Sequence, residues 1–406
     1  MTPFRSPQFR RLWCSSLASS GAMGMERTAT AWLALEAGGS GLTVGLTLGA
    51  RMLPSLMFGL AAGTIADRSD RRRQLLFVAA AALPLMLLLG WLVGAGFVRA
   101  WQVVAISFAV GCLQVFDVPA RQALILDTVP REAAPNAVAL HAVGTRLMTA
   151  AGALAAGLLI PLGGVPACYP VVAGLYALGA LLVALLRVPR GAHLDAARPS
   201  FGRALRDAAR LVVDVPAVRT LSIAGIVCEV FAFSHQTALP VMARDVLAAG
   251  PEGLGTLNGA AQVGGTLSVA LLSVLPGRVR REPVMGAVFL LYGAAILTLA
   301  GSGDLAVAAA VMLVTGACAG AFDALQQTLI QLAVPEGQRG RAVGVWVLGL
   351  GSAPLGHVEM GAMVAAIGAP GALAINGLLV LASAAALLAR APAYRWVPAQ
   401  RERAHE

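Results

Sequence analysis

The side chains in this sequence that could do chemistry are ionisable groups placed inside long apolar stretches. These residues are Glu26, Arg27, Arg51, Arg146, Glu229, His235, His357 and Glu359. A charged group in the interior of a membrane is costly, so it faces a cavity or a partner and marks a pathway for ions, protons or substrate. A carboxylate or imidazole that meets each side of a membrane in turn could carry a proton across it.

Other kinds of chemistry have no support in the residue pattern. We find no nucleophile beside a base, no metal-ligand spacing and no phosphate-binding loop, so we expect neither an enzyme nor a cofactor or metal site. The cysteines are far apart, and each stands in or beside an apolar stretch, which does not indicate a disulfide framework. They are Cys14, Cys112, Cys168, Cys228 and Cys318.

The composition is that of a polytopic membrane protein. Of 406 residues, 58% are hydrophobic and 12% are charged, and the mean hydropathy is +0.77. The net charge is +10, and all of the positive charges are arginines, because the sequence contains no lysine. These arginines recur in short loops and do not cluster on one domain, so nucleic acid is not a predicted partner.

Apolar stretches bounded by glycine, proline or charge clusters predict an all-α integral membrane fold with twelve transmembrane helices. The predicted spans are 10–36, 42–66, 74–96, 100–122, 134–160, 166–187, 217–243, 253–276, 283–301, 305–331, 340–366 and 370–390.

The arginines are distributed unevenly between the two sides of these spans. An even number of spans leaves both termini on one side, and that side carries most of the 30 arginines. The opposite side has only Arg99 and Arg244. Short loops rich in arginine stay in the cytoplasm. We therefore expect cytoplasmic termini and a location in a plasma membrane, the inner membrane of a bacterium, with lipids as surroundings.

The join between the second and third spans, 59–76, carries the most specific motif. Orientation alone accounts for Arg73 and its neighbours, but it does not account for Asp67, since an acid adds nothing to a positive loop. The spacing resembles the loop 2–3 signature of the major facilitator superfamily of transporters. The matching residues are Gly63, Asp67, Arg68, Arg71 and Arg72. Asp70 departs from the signature, because the superfamily has a second glycine there.

The two halves of the chain also resemble each other. Phe116-Asp117 is followed by Val129-Pro130, and Phe322-Asp323 is followed by Val334-Pro335, with glutamine, leucine and isoleucine between them in each copy. Both copies fall in the fourth span of their half, as internal duplication requires.

Between the halves, a polar stretch carries Arg203, Arg206 and Arg210 at helical spacing, which predicts an amphipathic linker helix lying on lipid headgroups. The predicted units are an N-terminal six-helix bundle over 1–188, a cytoplasmic linker over 189–216, a C-terminal six-helix bundle over 217–391 and a cytoplasmic tail over 392–406.

Together these features extend the resemblance to the major facilitator superfamily over essentially the whole chain. Leu53-Pro54, Pro119-Ala120-Arg121 and Arg339-Gly340-Arg341 are similar to its drug and siderophore exporters, such as the enterobactin and macrolide exporters. The fifth span departs, because Gly152-Ala153 replaces the Gly-Pro pair of those exporters.

The resemblance implies a monomeric secondary transporter that exports a small amphipathic molecule by proton antiport. A lipid or lysolipid flippase with the same fold is an alternative, and a membrane sensor is a remote one.

Within this fold, the candidates for proton coupling or substrate binding are Glu26, Arg51, Arg146, Glu229, His235 and Glu359. Glu229 and Glu359 are the hypothesised proton carriers. Glu26 ranks third, since Arg51 lies at a similar depth on the neighbouring span and an ion pair between them would hold the carboxylate charged.

The first prediction concerns Asp67, whose counterpart in similar transporters locks the cytoplasmic side in the outward-facing state. Its expected partners are Arg121, or Arg339 and Arg341 at the start of span eleven. We expect Asp67→Asn to keep normal membrane abundance, lose most transport and increase cysteine labelling of the inner vestibule from the cytoplasm. The control Arg73→Ala should be nearly silent. Unchanged transport together with unchanged labelling would contradict the gating role.

Overall fold

The computed structural model describes residues 3–68, 70–187, 201–274 and 279–389, with the backbone alone at 60–68 and 201–205. In these ranges the chain is helical, without a β-strand. The helices are α1 Pro7–Gly38, α2 Gly41–Arg68, α3 Arg71–Gly94, α4 Ala100–Thr128, α5 Ala134–Gly163, α6 Cys168–Ala184, α7 Phe201–Asp214, α8 Pro216–Val227, α9 His235–Val241, α10 Gly250–Ser273, α11 Arg281–Ala300, α12 Leu305–Leu332, α13 Arg339–Leu350 and α14 Ala353–Ala389.

These helices form the predicted membrane crossings. Within the described ranges, nine helical stretches are long and apolar enough to span a membrane, and the last of them, Glu336–Ala389, contains two crossings. They meet at Gly368, whose φ of +77° breaks the helix within α14. Helices α1 and α10 are also long enough to cross. The expectation of twelve transmembrane helices is confirmed at the level of the fold class.

The seventh crossing is irregular in a way the sequence did not predict. It runs from α8 to α9 and is interrupted by π-helical turns at Cys228–Ala232 and Met242–Val246. A π turn holds one more residue than an α turn and is frequent at functional sites. Glu229 lies in the first of these turns.

Two names are used below for the ends of the bundle. The terminal face is the end at which α1 begins and α2 ends, and the distal face is the end at which α1 ends and α2 begins. Helices α1 to α6 pack extensively on one another, as do α10, α11, α12 and α14. Contacts between the two groups run mainly along α5 against α10 and along α2 against α14. The predicted linker 189–216 and tail 392–406 include residues outside the described ranges, so those boundaries stay predictions.

Glycines bring the two groups of helices close together towards the distal face. A Cβ at Gly361 of α14 would lie 2.9 Å from the Cα of Gly45 in α2, and a Cβ at Gly157 of α5 would lie 3.1 Å from the Cα of Gly255 in α10. Such distances leave no room for a side chain. Membrane helices associate through close packing of small residues, because lipid supplies no hydrophobic force between them.

The linker helix α7 packs against α13. Its Ala208 and Leu211 are buried, and its Asp207 pairs with Arg341 of α13, with 3.5 Å between the charged atoms. The predicted helix is therefore present, and one face of it contacts protein. Its neighbour Val213 is largely exposed, as suits a face open to lipid.

We predict that Gly361→Leu lowers the stability of the folded bundle, since the added side chain would overlap the backbone of α2. Overpacking of this kind costs about 1–3 kcal/mol. A lower apparent melting temperature of the purified protein in detergent would show it. Gly344→Leu in α13 is the matched control, because no heavy atom lies within 4 Å of the Cβ position there. Equal melting temperatures for the two variants would contradict the packing role of Gly361.

Candidate functional site

A buried ion pair joins α1 to α2 in the first half of the chain. Arg51 Nη1 lies 2.6 Å from Glu26 Oε1, and both side chains are almost completely buried, with 3% and 1% of their area exposed. The same carboxylate oxygen accepts a hydrogen bond from the Thr30 hydroxyl. The pairing that the sequence suggested therefore forms. The pair as a whole has no net charge. Removing either partner would leave the other as an uncompensated buried charge, which is costly.

Arg27, the next residue along α1, has no such partner. Among the described residues its guanidinium forms neither an ion pair nor a hydrogen bond, although it interacts electrostatically with Arg51 and Glu26. It lines a small cavity of about 40 Å³ between the two halves, together with polar side chains of α9 and α10. The sequence analysis noted Arg27 but gave it no role.

A second, partly buried pair lies on α4. Arg121 donates two hydrogen bonds to Asp117, at 2.8 and 2.9 Å, and further ones to serine hydroxyls of α1. The serines are Ser15, Ser16 and Ser19. Arg121 is thus bound within the first half. The side chains of Gly63, Asp67 and Arg68 lie outside the described residues, so the predicted pairing of Asp67 with Arg121 stays a prediction.

The arginines that follow α2 form ion pairs and hydrogen bonds with neighbouring residues. Arg71 pairs with Asp127 at 2.6 Å, and Arg72 donates to the carbonyl oxygens at the end of α6. Asp70 caps α3, since its carboxylate accepts from the backbone N–H groups of Arg72 and Arg73. The residue that departs from the superfamily signature is therefore a helix N-cap, a role for which aspartate is favoured.

The other two predicted gate partners also make local contacts. Arg339 pairs with Glu336 at 3.0 Å, and Arg341 pairs with Asp207 of the linker helix. Both arginines lie at the terminal face, where the prediction places the gate.

The second half lacks the pair that the first half has on α4. Asp323 of α12 corresponds to Asp117 in the repeat, but no arginine follows it within one turn. The later residues of the repeat align Gln326 with Arg121, and Gln326 donates to the carbonyl of Leu221. Gln327 is the residue four positions after Asp323. Asp323 forms no ion pair among the described residues. The cation that interacts with it is Arg146, which comes from α5 of the first half.

Glu229 lies close to this same cluster. It interacts electrostatically with Asp323, and its carboxyl group has no hydrogen bond or ion pair within the described part of the chain. Arg146 reaches across from α5, because a Cβ at Gly265 of α10 would lie 3.2 Å from its Nη1. Asp323 therefore interacts with Glu229 of its own half and with Arg146 of the first half.

The remaining candidates form hydrogen bonds along α9 and α14. Glu359 accepts from the amide of Asn376 at 3.2 Å, and His357 Nδ1 lies 2.8 Å from the Thr237 hydroxyl. His235 Nδ1 lies 2.7 Å from the carbonyl oxygen of Ala232. These contacts occupy one ring nitrogen of each histidine. Glu359 has an amide partner, which distinguishes it from Glu229.

A larger cavity of about 230 Å³ lies among the helices of the first half. Its lining combines apolar side chains such as Val78 and Leu113 with the Asp117–Arg121 pair, His141 and Tyr176. This mixture suits a molecule with an apolar body and a few polar groups.

Asp117, Asp323 and Gln326 are not among the site residues predicted from the sequence. The available signal was an acid inside a predicted span, repeated in both halves, which served only as evidence of duplication. Among the described residues, no group of His, Cys, Asp and Glu could hold a metal ion.

Comparison with known proteins identifies the family. The profile of the transmembrane secretion effector family matches residues 1–400. No curated protein matches the sequence.

Solved structures share the fold over nearly the whole chain. A POT family transporter in complex with 5-aminolevulinic acid has a TM-score of 0.77 and 11% identity, covering 95% of this chain and 96% of that chain. The nucleoside transporter NupG, as a mutant, has a TM-score of 0.76 and 14% identity, covering 94% and 99%. An inward-facing, occupied bacterial homolog of the human lysosomal transporter Spinster has a TM-score of 0.71 and 17% identity, covering 98% and 97%.

These neighbours have the major facilitator fold, so the resemblance stated from the sequence is confirmed at that level, whereas the drug and siderophore branch stays a prediction. The chain belongs to the transmembrane secretion effector family, and its fold is that of the membrane transporters of the major facilitator superfamily.

Proposed function

We propose that this transporter exports a small amphipathic molecule by alternating access and that proton movement through Glu229 and Asp323 drives the export. The observation that carries the proposal is the Glu229 carboxyl, which has no partner among the described residues and lies beside a second acid at the interface of the halves. We further propose a monomer in the plasma membrane with both termini in the cytoplasm, on the arginine distribution already described.

The cluster has the charges that coupling needs. An isolated carboxylate buried without a partner is very costly, so such a group is retained where it exchanges a proton. Here Asp323 interacts with the guanidinium of Arg146, and Glu229 interacts with Asp323. Because Arg146 belongs to the other half, alternating access changes its distance from Asp323. The charge on the two acids then changes with the state of the transporter, which is the requirement for coupling.

The repeat supports the assignment of coupling to the second half. In the first half, Asp117 is neutralised within its own helix by Arg121, so its charge is independent of how the halves move. In the second half the arginine is absent, and Asp323 depends on a cation across the interface. The Glu26–Arg51 pair resembles the first arrangement, since both members belong to one half, and we assign it a structural role.

Glu359 remains a second candidate carrier, with His235 and His357 as hydrogen-bonded neighbours of the same region. The loop 2–3 residues Gly63, Asp67, Arg68, Arg71 and Arg72 are proposed to form the cytoplasmic gate with Arg121, Arg339 and Arg341.

Glu229→Gln is the direct test of proton coupling. Because the amide cannot exchange a proton, we expect efflux driven by an imposed pH gradient to fall by more than tenfold in proteoliposomes, while exchange between equal concentrations on both sides persists. Ethidium and anilinonaphthalene sulfonate serve as cationic and anionic dye probes. Glu252→Gln is the control, since Glu252 is exposed. Wild-type rates of pH-driven efflux in Glu229→Gln would overturn the proposal.

Gln327→Arg tests the role of the missing arginine. It gives Asp323 a partner four residues later on the same helix, the spacing at which Asp117 and Arg121 pair. We expect a folded protein of normal abundance whose pH-driven efflux is lost, because Asp323 is neutralised within its own half. Gln331→Arg, one turn further along α12, is the matched control and should retain pH-driven efflux. Equal efflux in both variants would show that Asp323 does not need to change its charge.

A further inference from the structure

We propose that the small cavity between the halves binds the acidic group of the exported molecule, with Arg27 as its counter-ion, so that the substrate is an organic anion. This inference rests on the proposed function as a transporter and specifies the charge of what is carried. The site is distinct from the acidic cluster of Glu229 and Asp323.

Arg27 supplies a positive charge that the protein does not balance. Of the three charged side chains in this region, Glu26 and Arg51 are already paired at 2.6 Å, which leaves the Arg27 guanidinium in excess. His357 also interacts with Arg27 electrostatically, and its own contact is to a threonine hydroxyl rather than to an acid. Arg27 is partly buried, and an unpaired cation is costly in such a place. An anion that enters the cavity relieves that cost.

The rest of the cavity lining favours an anion as well. Gln236, Asn258 and Gln262 each bring an amide N–H₂ donor, and no acidic side chain is present among the described residues that line the cavity. The amide of Asn258 donates to the Thr28 hydroxyl at 3.3 Å, whereas the side chains of Gln236 and Gln262 form no hydrogen bond in the described part of the chain. Their donors are therefore free to bind an oxygen-rich group.

The cavity has the size and position for the acidic group of a larger molecule. Its volume of about 40 Å³ is sufficient for a carboxylate group. Arg27 and Thr28 belong to α1, and the three amide residues belong to α9 and α10. A ligand held by both sets would touch the two halves at once, and arginine binds carboxylates through two parallel hydrogen bonds.

A matched set of aromatic probes tests the charge preference by calorimetry on the purified protein, without a membrane or a pH gradient. The probes are 1-naphthoate, the neutral 1-naphthalenemethanol and the cationic 1-naphthylmethylamine. We expect naphthoate to bind at least tenfold more tightly than the alcohol, and the amine to bind most weakly, because charge-assisted hydrogen bonds are roughly twice as strong as neutral ones.

Variants locate that preference. Arg27→Gln should bring the naphthoate and alcohol affinities within about twofold of each other, and Arg27→Lys should retain part of the difference. The control Arg73→Gln, at an exposed arginine in the first turn of α3, should behave as wild type. Equal affinities in the wild type, no naphthoate binding up to about 10 mM, or an unchanged preference in Arg27→Gln would overturn the proposal. Because the assay involves no transport, a failure here leaves the coupling tests above unaffected.

Discussion

The constraint on which this structure depends is the cost of placing a charge where neither water nor a partner can reach it. The first half of the chain meets this constraint twice with pairs of its own: Glu26 with Arg51, and Asp117 with Arg121. The Glu26–Arg51 pair ties α1 to α2, because separating these helices would leave an uncompensated buried charge. Arg121 ties α4 to α1 through its hydrogen bonds to serines. In the second half, Glu229 and Asp323 have no ion pair among the described residues, and the cation that interacts with Asp323 belongs to the other half.

This asymmetry arises within an apparent duplication. Asp117 and Asp323 occupy corresponding places in α4 and α12, and the residues that follow them have diverged. In one copy an arginine bonds to serines of α1; in the other, Gln326 bonds to the backbone of α8 at the corresponding place. The helix contact is preserved while the charge is lost. A repeat whose halves share their packing and differ in their charges retains the fold of a membrane transporter. It places Glu229 and Asp323, the acids without an ion pair among the described residues, in one half.

The sequence predicted the helices well because the bilayer sets their length and composition, and both can be read without knowing which helices touch. The charged pairs were harder. The Glu26–Arg51 pair followed from depth on adjacent spans, whereas the Asp117–Arg121 pair was not predicted, although Asp117 stands one turn earlier on the same helix. Arg27 has no ion-pair partner among the described residues because of how three helices from the two halves pack around it. No short stretch of sequence indicates such an arrangement. Asp70 was treated as a departure from a motif, when its residue type at a helix start indicates an N-cap.

The π turns of the seventh crossing have a consequence for how this helix can change in related sequences. Each turn holds one residue beyond the α-helical number, and one residue turns the helix by about 100°. Loss of a single residue between Cys228 and Ala232 would therefore restore a regular helix and swing everything after it, including His235 and Gln236, to a different side. The number of residues in this turn determines which side chains of the following helix face the centre of the protein. An insertion or deletion there would therefore change the residues that line the interior without substituting any of them.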